Sequence, residues 1–207
     1  MRPPAAPFFA ARFALAVAAM AVVVLASNLL VQIRLGDWLT WGALTYPLAF
    51  LVTDLANRAL GPAAARRVVA AGFAVGVACS LAAAGLGATT LRIAVGSGVA
   101  FLTAQLLDVA VFDRLRAGVW WRAPAVSSVL GSAADTFLFF GIAFSAALAP
   151  LAPWEDVAWA AEPVALLGLG PVAPLWISLA TADFGVKLAL AALALIPFRL
   201  ALRRLPA

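Results

Sequence analysis

The side chains able to do chemistry in this 207-residue chain are few, and most sit inside long apolar runs. Asp183 and Lys187 stand four residues apart, one helical turn, and Lys187 is the only lysine among fourteen basic residues. A buried lysine changes protonation in a way an arginine does not, so this pair is a candidate for binding or proton handling; its plain alternative is self-neutralisation within one helix. Asp135 lies mid-run with Ser128, Gly131 and Ser132 on or near its face, and a purely structural role would require a buried cation or donor. Gln105 and Asp108, at i and i+3, form a donor and acceptor surface on one face. Asp54 and Arg58, at i and i+4 with the acid first, suit a gate or anchor at the inner end of a span, or a solvated ion pair. Asn28 and Gln32, then Trp41, Thr45 and Tyr46, together with the flat ring of Phe101, complete the polar and aromatic candidates. Taken singly, each of these last is also ordinary interhelical glue or a belt residue.

Several reaction classes lack their residues. There is no histidine, which removes serine–histidine and metal–histidine chemistry. An aspartyl dyad of Asp135 and Asp183 stays formally open, but no Gly-x-Gly-Asp surrounds either acid. Gly-x-Gly-x-x-Gly and Gly-x4-Gly-Lys loops are missing too. The single cysteine, Cys79, permits no internal disulfide and reads as a small buried residue. The expectation is a chain that is not an enzyme and carries no cofactor or metal.

The elements that must position these groups follow from composition. Hydrophobic residues make up 66% of the chain and charged ones 11%, against ~25% charged in soluble domains, so a bilayer must cover the excess apolar surface. Runs close to the ~20 residues needed to span it occur at 13–31, 39–55, 68–86, 93–112, 126–148 and 174–197. Turn signals punctuate them at Gly36-Asp37, Gly61-Pro62, Gly85 to Gly87, Ala123-Pro124 and the stretch from Pro150 to Pro174. The expected fold is therefore all-α, one integral membrane bundle of six transmembrane helices over residues 1–207. With the amino terminus cytoplasmic, eleven arginines (2, 12, 58, 66, 67, 114, 116, 122, 199, 203 and 204) fall inside and two, Arg34 and Arg92, outside. Both termini are expected in the cytoplasm. The last outer loop carries Glu155, Asp156 and Glu162, with Trp154, Trp159 and Trp176 placed for an interfacial belt. A secretory signal ending near Val24-Leu25-Ala26 is the rival reading of the first run, although Asn28 and Gln32 just beyond it make better sense in a packed bundle. The basic residues form short clusters between apolar runs and not a stripe beside aromatic platforms, so nucleic acid is not an expected partner. Gly72 to Gly76 is a small-xxx-small pattern read as bundle packing.

Taken in order, the polar segments resemble the queuosine precursor transporter family, also known as the vitamin uptake transporter family. The matching stretches begin with Ser27-Asn28-Leu29-Leu30-Val31-Gln32, Thr40-Trp41-Gly42-Ala43 and Thr53-Asp54-Leu55 with Arg58 and Gly61. They continue through Ala65-Arg66-Arg67, Gly98 to Gln105-Leu106-Leu107-Asp108-Val109 with Phe112, Arg114-Leu115-Arg116 and Trp120-Trp121. Ser127 to Gly131, Asp135-Thr136, Ile142-Ala143-Phe144, and Asp183 with Lys187 close the series. Tyr46 and Asn57 have no assignable place in the family pattern. The resemblance implies a multi-pass carrier of the cell inner (plasma) membrane that takes up 7-cyano-7-deazaguanine or its aminomethyl relative for queuosine biosynthesis. Such a ring offers N1–H and an exocyclic amine, two parallel donors for one carboxylate (Asp135, Asp108 or Asp183), and an O6 acceptor for a Gln or Asn amide. Trp41 or Phe101 can stack on the flat ring. The alternatives are a substrate-capture subunit dependent on a separate ATPase and a structural membrane-assembly protein. A homo-oligomer is compatible with all three.

Overall fold

A computed structural model describes residues 6–152, 154 and 157–204. Its long elements are α1 (Ala6–Leu30), α4 (Pro62–Gly85), α5 (Leu91–Leu115), α6 (Arg122–Phe144) and α7 (Leu175–Leu202). These five helices are long and apolar enough to cross a membrane. The expected run at 39–55 is divided: a one-turn helix α2 (Gly42–Thr45) is followed by α3 (Leu48–Leu60), with Tyr46 and Pro47 at the break. Pro47 supplies no N–H and its ring obstructs the preceding turn, so helical dihedrals continue through the junction on tighter bonds, Ala49 N–H to Tyr46 O and Phe50 N–H to Pro47 O. At 13 residues, α3 alone is about 20 Å long, shorter than a hydrocarbon core.

Other boundaries shift for local reasons. Ala123-Pro124, expected as a turn, lies inside the first turn of α6, where the proline's missing N–H would have had no intrahelical partner anyway. The same helix ends at Phe144 and not near 148, because Ser145 turns extended and a 3-10 segment, Ala146–Leu151, takes over. The Gly61-Pro62 corner is sharp: Gly61 has φ +87° and Pro62 opens α4. Two small hairpins were not foreseen. β1 (Arg34–Leu35) pairs antiparallel with β2 (Leu39–Thr40), and β3 (Pro163–Ala165) with β4 (Val172–Pro174).

The direction of each helix follows from contacts between ends. Ser80, late in α4, bonds Asn28, late in α1; Arg92, early in α5, donates to Ile142 O (2.7 Å) and to Ser145 O at the end of α6. Arg58, late in α3, donates to Arg116 O just past α5, and Phe112 meets Phe198. One end of the bundle thus gathers the β1–β2 hairpin, Arg34 and Arg92; the other holds Arg58, Arg66, Arg67, Arg114, Arg116, Arg122, Arg199, Arg203 and Arg204. Arg2, Glu155 and Asp156 lie outside the described residues.

Small residues set the spacing. A Cβ on Gly72 would fall 2.5 Å from Met20 Cγ, and one on Gly131 would fall 2.6 Å from Phe50 Cε1, so α4 meets α1 and α6 meets α3 at glycine. Around Gly72, Met20, Val24, Val68, Val69 and Phe101 form a buried core, whereas Leu15, Val22, Phe137, Leu193 and Ile196 point outward. That inverted surface, apolar outside as well as in, is what lipid requires.

Candidate functional site

α6 and α7 lie side by side, and their facing polar residues meet in one cluster. Lys187 Nζ donates to Asp135 Oδ2 at 2.6 Å, to Thr136 Oγ1 at 3.1 Å and to Asp183 Oδ2. All three ammonium protons are thereby used. Thr136 Oγ1 donates in turn to Asp183 Oδ2 at 3.0 Å, and Tyr46 Oη donates to Asp135 Oδ1 at 3.0 Å. Tyr46 lies at the α2–α3 junction, directly before Pro47, and its ring lies 5.7 Å from Lys187 Nζ. The cation that Asp135 required is thus Lys187, from another helix. Counting formal charges, two carboxylates and one ammonium leave the cluster net acidic. Among the three charged side chains Asp183 is the most accessible, at 16% against 5% for Asp135 and 3% for Lys187.

This cluster forms the floor of a cavity of about 390 Å³ that extends toward the hairpin end. That volume suits a small heterocycle, since pockets for compact ligands start at ~300 Å³. Asn28 of α1, Gln32 just past its end, Tyr46, and Ile93 and Ser97 of α5 form walls, and Phe139, Phe140 and Phe144 of α6 give an aromatic face. Arg34, Asp37, Trp38 and Trp159 surround the mouth.

Six of the residues singled out in the sequence border this cavity: Asn28, Gln32, Tyr46, Asp135, Asp183 and Lys187. Phe101 instead lines a much smaller neighbouring hollow with Asn28 and Tyr46, and packs edge-on against the Tyr46 ring at 6.0 Å. Trp41 and Thr45 do not line the cavity. Trp41 is exposed at the start of α2, and Thr45 is engaged by Ser27 Oγ at 2.9 Å and Gly42 O at 3.2 Å. Gln105 and Asp108 are fully buried farther along α5, away from the cavity lining, with Gln105 Oε1 accepting from Thr53 Oγ1 at 2.5 Å. The expected Asp54–Arg58 pair does not form. Asp54 is buried and faces α6, accepting from Ser127 Oγ at 3.3 Å and Ser128 Oγ at 3.5 Å, while Arg58 Nη1 caps Arg116 O at 3.0 Å. Helical spacing put both on one side of α3, but the burial of one and the reach of the other to a free carbonyl separate them.

Thr136, Phe139 and Trp159 were not singled out as site residues. The first is the neighbour of Asp135 and the second lies one turn beyond it, so helical periodicity alone signals Phe139. Trp159, expected in an interfacial belt, packs against Phe144 at 5.4 Å and borders the cavity. Nothing local in the sequence announces that fold-back.

A family described as "Putative vitamin uptake transporter" matches residues 40–202. The chain belongs to this family. Curated relatives carry the corresponding activity in their names. The queuosine precursor transporter of Escherichia coli is 39% identical over 145 residues, 59% of this chain and 64% of that protein. The probable queuosine precursor transporter of Haemophilus influenzae is 41% identical over 121 residues, 51% and 52% of the two chains. That of Bacillus subtilis is 30% identical over 128 residues, 51% and 56%. The matched stretches therefore span between 52% and 64% of these relatives' own length. No solved structure matches the chain. The family match takes in all of α2 to α7 and hence Tyr46, Asp135, Thr136, Asp183 and Lys187; Asn28 and Gln32 precede it.

Proposed function

We propose that this chain imports a queuosine precursor, 7-cyano-7-deazaguanine or its aminomethyl relative, across the inner (plasma) membrane, and that it does so as a carrier, not as an enzyme. In this reading α2 and α3 together make a sixth, broken span, both termini are cytoplasmic, and the cavity is the external vestibule. The arginine asymmetry, with only Arg34 and Arg92 at the hairpin end among the described arginines, supports that orientation. The observation that carries the proposal is a cavity of ligand size whose floor is the Asp135–Lys187–Asp183 cluster. Asp183, the more accessible carboxylate of the cluster, accepts N1–H and the exocyclic amine of the deazaguanine; Asn28 or Gln32 donates an amide proton to O6. In this reading a ring of the Phe139, Phe140 and Phe144 face stacks on the base, since Trp41 and Phe101 do not border the cavity. An adenine, which lacks those paired donors, leaves Asp183 without its replacement for water and is rejected.

Recognition and transport are tested separately. In competition binding on the detergent-purified protein, deazaguanines and guanine should displace a labelled precursor and adenine should not; equal displacement by all three refutes carboxylate recognition. Uptake by the protein alone in liposomes is expected, and uptake that appears only when an ATPase subunit is supplied would make it a capture subunit instead.

A further inference from the structure

A second polar cluster lies deeper than the cavity and takes no part in it. Two interhelical bonds delimit a strip between α3 and α5: Thr53 Oγ1 to Gln105 Oε1, and Asn57 Nδ2 to Val109 O at 3.0 Å. Asp54 and Asp108 fall inside that strip with their carboxyl groups in reach of one another, both essentially without solvent contact. Ser127 of α6 lies near both, but its one proton is shared between Asp54 Oδ1 at 3.3 Å and Pro124 O at 3.4 Å. Asp108 is left with neither oxygen receiving a hydrogen bond, and Asn57 Oδ1 likewise has none. The amide of Gln105 and the hydroxyl of Ser132, one turn beyond Ser128, are also buried and unpartnered.

No base answers these acids among the described residues. On α3, Arg58 is spent on Arg116 O; on α4, Arg66 and Arg67 are exposed. From α7, Lys187 is saturated by Asp135, Asp183 and Thr136, and Arg199 stacks on Trp120 at 4.9 Å. On α5 and past its end, Asp113 and Arg116 pair with each other. α1 and α6 bring no charged side chain into contact with the pair. Two carboxylates in contact, dry and without a cation, cannot both stay ionised. One proton turns the acceptor-to-acceptor contact into a hydrogen bond.

We propose that Asp54 and Asp108 hold a proton between them and that this buried pair, not Asp183–Lys187, is the coupling-proton site of import. Lys187 is unsuited to that task because its three protons are already committed to acceptors. The pair lies between the cavity floor and the arginine-rich end, so a proton there is released when α3 and α6 part on that side. The coupling role rests on the import reading above, whereas the presence of the proton does not.

The two claims have separate tests. Infrared spectroscopy of the purified wild-type protein in H2O and D2O at neutral pH should show the C=O stretch of a buried protonated carboxyl, and the Asp54→Asn/Asp108→Asn double variant should lack it. A wild-type protein without that band, or a double variant that keeps it, overturns the proton site. In liposomes containing a pH-sensitive dye, precursor uptake should acidify the interior and follow an inward proton gradient. Asp108→Asn should bind precursor within about twofold of wild type and exchange it across the membrane, yet lose gradient-driven accumulation at least tenfold. Uptake by wild type driven by a sodium gradient and indifferent to pH, or by neither gradient, overturns the coupling role. If the wild type neither binds nor moves a deazaguanine, the import reading fails, and the infrared result still decides the proton.

Discussion

At the scale of single residues, the acids of this chain divide by the company they keep. Asp135 is buried against Lys187 and Tyr46, so its charge is balanced within the protein; Asp183 shares the same lysine and is the more accessible of the two at the cavity. Asp183→Asn should therefore weaken precursor binding about 10- to 100-fold, the scale of ~1.5–3 kcal/mol for a charged hydrogen bond, with little change in thermal stability. Equal binding by that variant would move recognition to another carboxylate. Removing Lys187 has a different consequence. Lys187→Ala leaves Asp135 buried without its cation, a loss of ~3–5 kcal/mol, and folded yield in detergent should fall accordingly. Pairing it with Asp135→Asn should recover much of the yield but not uptake. A Lys187→Ala protein as stable as wild type would show that the ion pair contributes nothing to folding.

At the scale of elements, the break between α2 and α3 and the glycine contacts are the features with consequences. Tyr46, which bonds Asp135, directly precedes Pro47, so Pro47→Ala, which restores the missing N–H, should join α2 and α3 into one regular helix and shift that hydroxyl. Melting temperature should hold or rise while uptake falls; unchanged uptake would mean that the Pro47 junction has no part in the site. Gly131→Val would place a side chain where Phe50 already lies, and overpacking of this kind costs ~1–3 kcal/mol. Because Ser128 and Asp135 flank that glycine on α6, both polar clusters should loosen together, visible as lower stability with weaker precursor binding.

At the scale of the whole molecule, orientation and driving force are linked. Cys79 is the only cysteine, so a Cys79→Ala background gives a clean chain for single-cysteine labelling. A cysteine placed at Asp37 should react with an impermeant reagent from outside the cell, and one at Arg203 only after permeabilisation. The reverse pattern would invert the proposed topology. If the vestibule is external, a cationic aminomethyl precursor gains ~2.3 kcal/mol per 100 mV of inside-negative potential, roughly a 50-fold accumulation, while the neutral nitrile gains nothing from potential alone.

What the chain's residues determined by themselves was the solvent and the inventory: apolar runs of membrane length, arginines gathered at alternate loops, and a handful of buried acids with one lysine. These are readable because bilayer thickness and the cost of burying charge act on each segment independently. Helical spacing even aligned Asp183 with Lys187, a pair within one turn. Partnership across helices was decided only by tertiary packing. It joined Asp135 to Lys187 across 52 positions, sent Asp54 toward Ser127 and not Arg58, and moved Gln105 and Asp108 out of the cavity. Periodicity tells which residues share a face, but which face meets which neighbour depends on where the glycines let helices close in and where Pro47 breaks one of them.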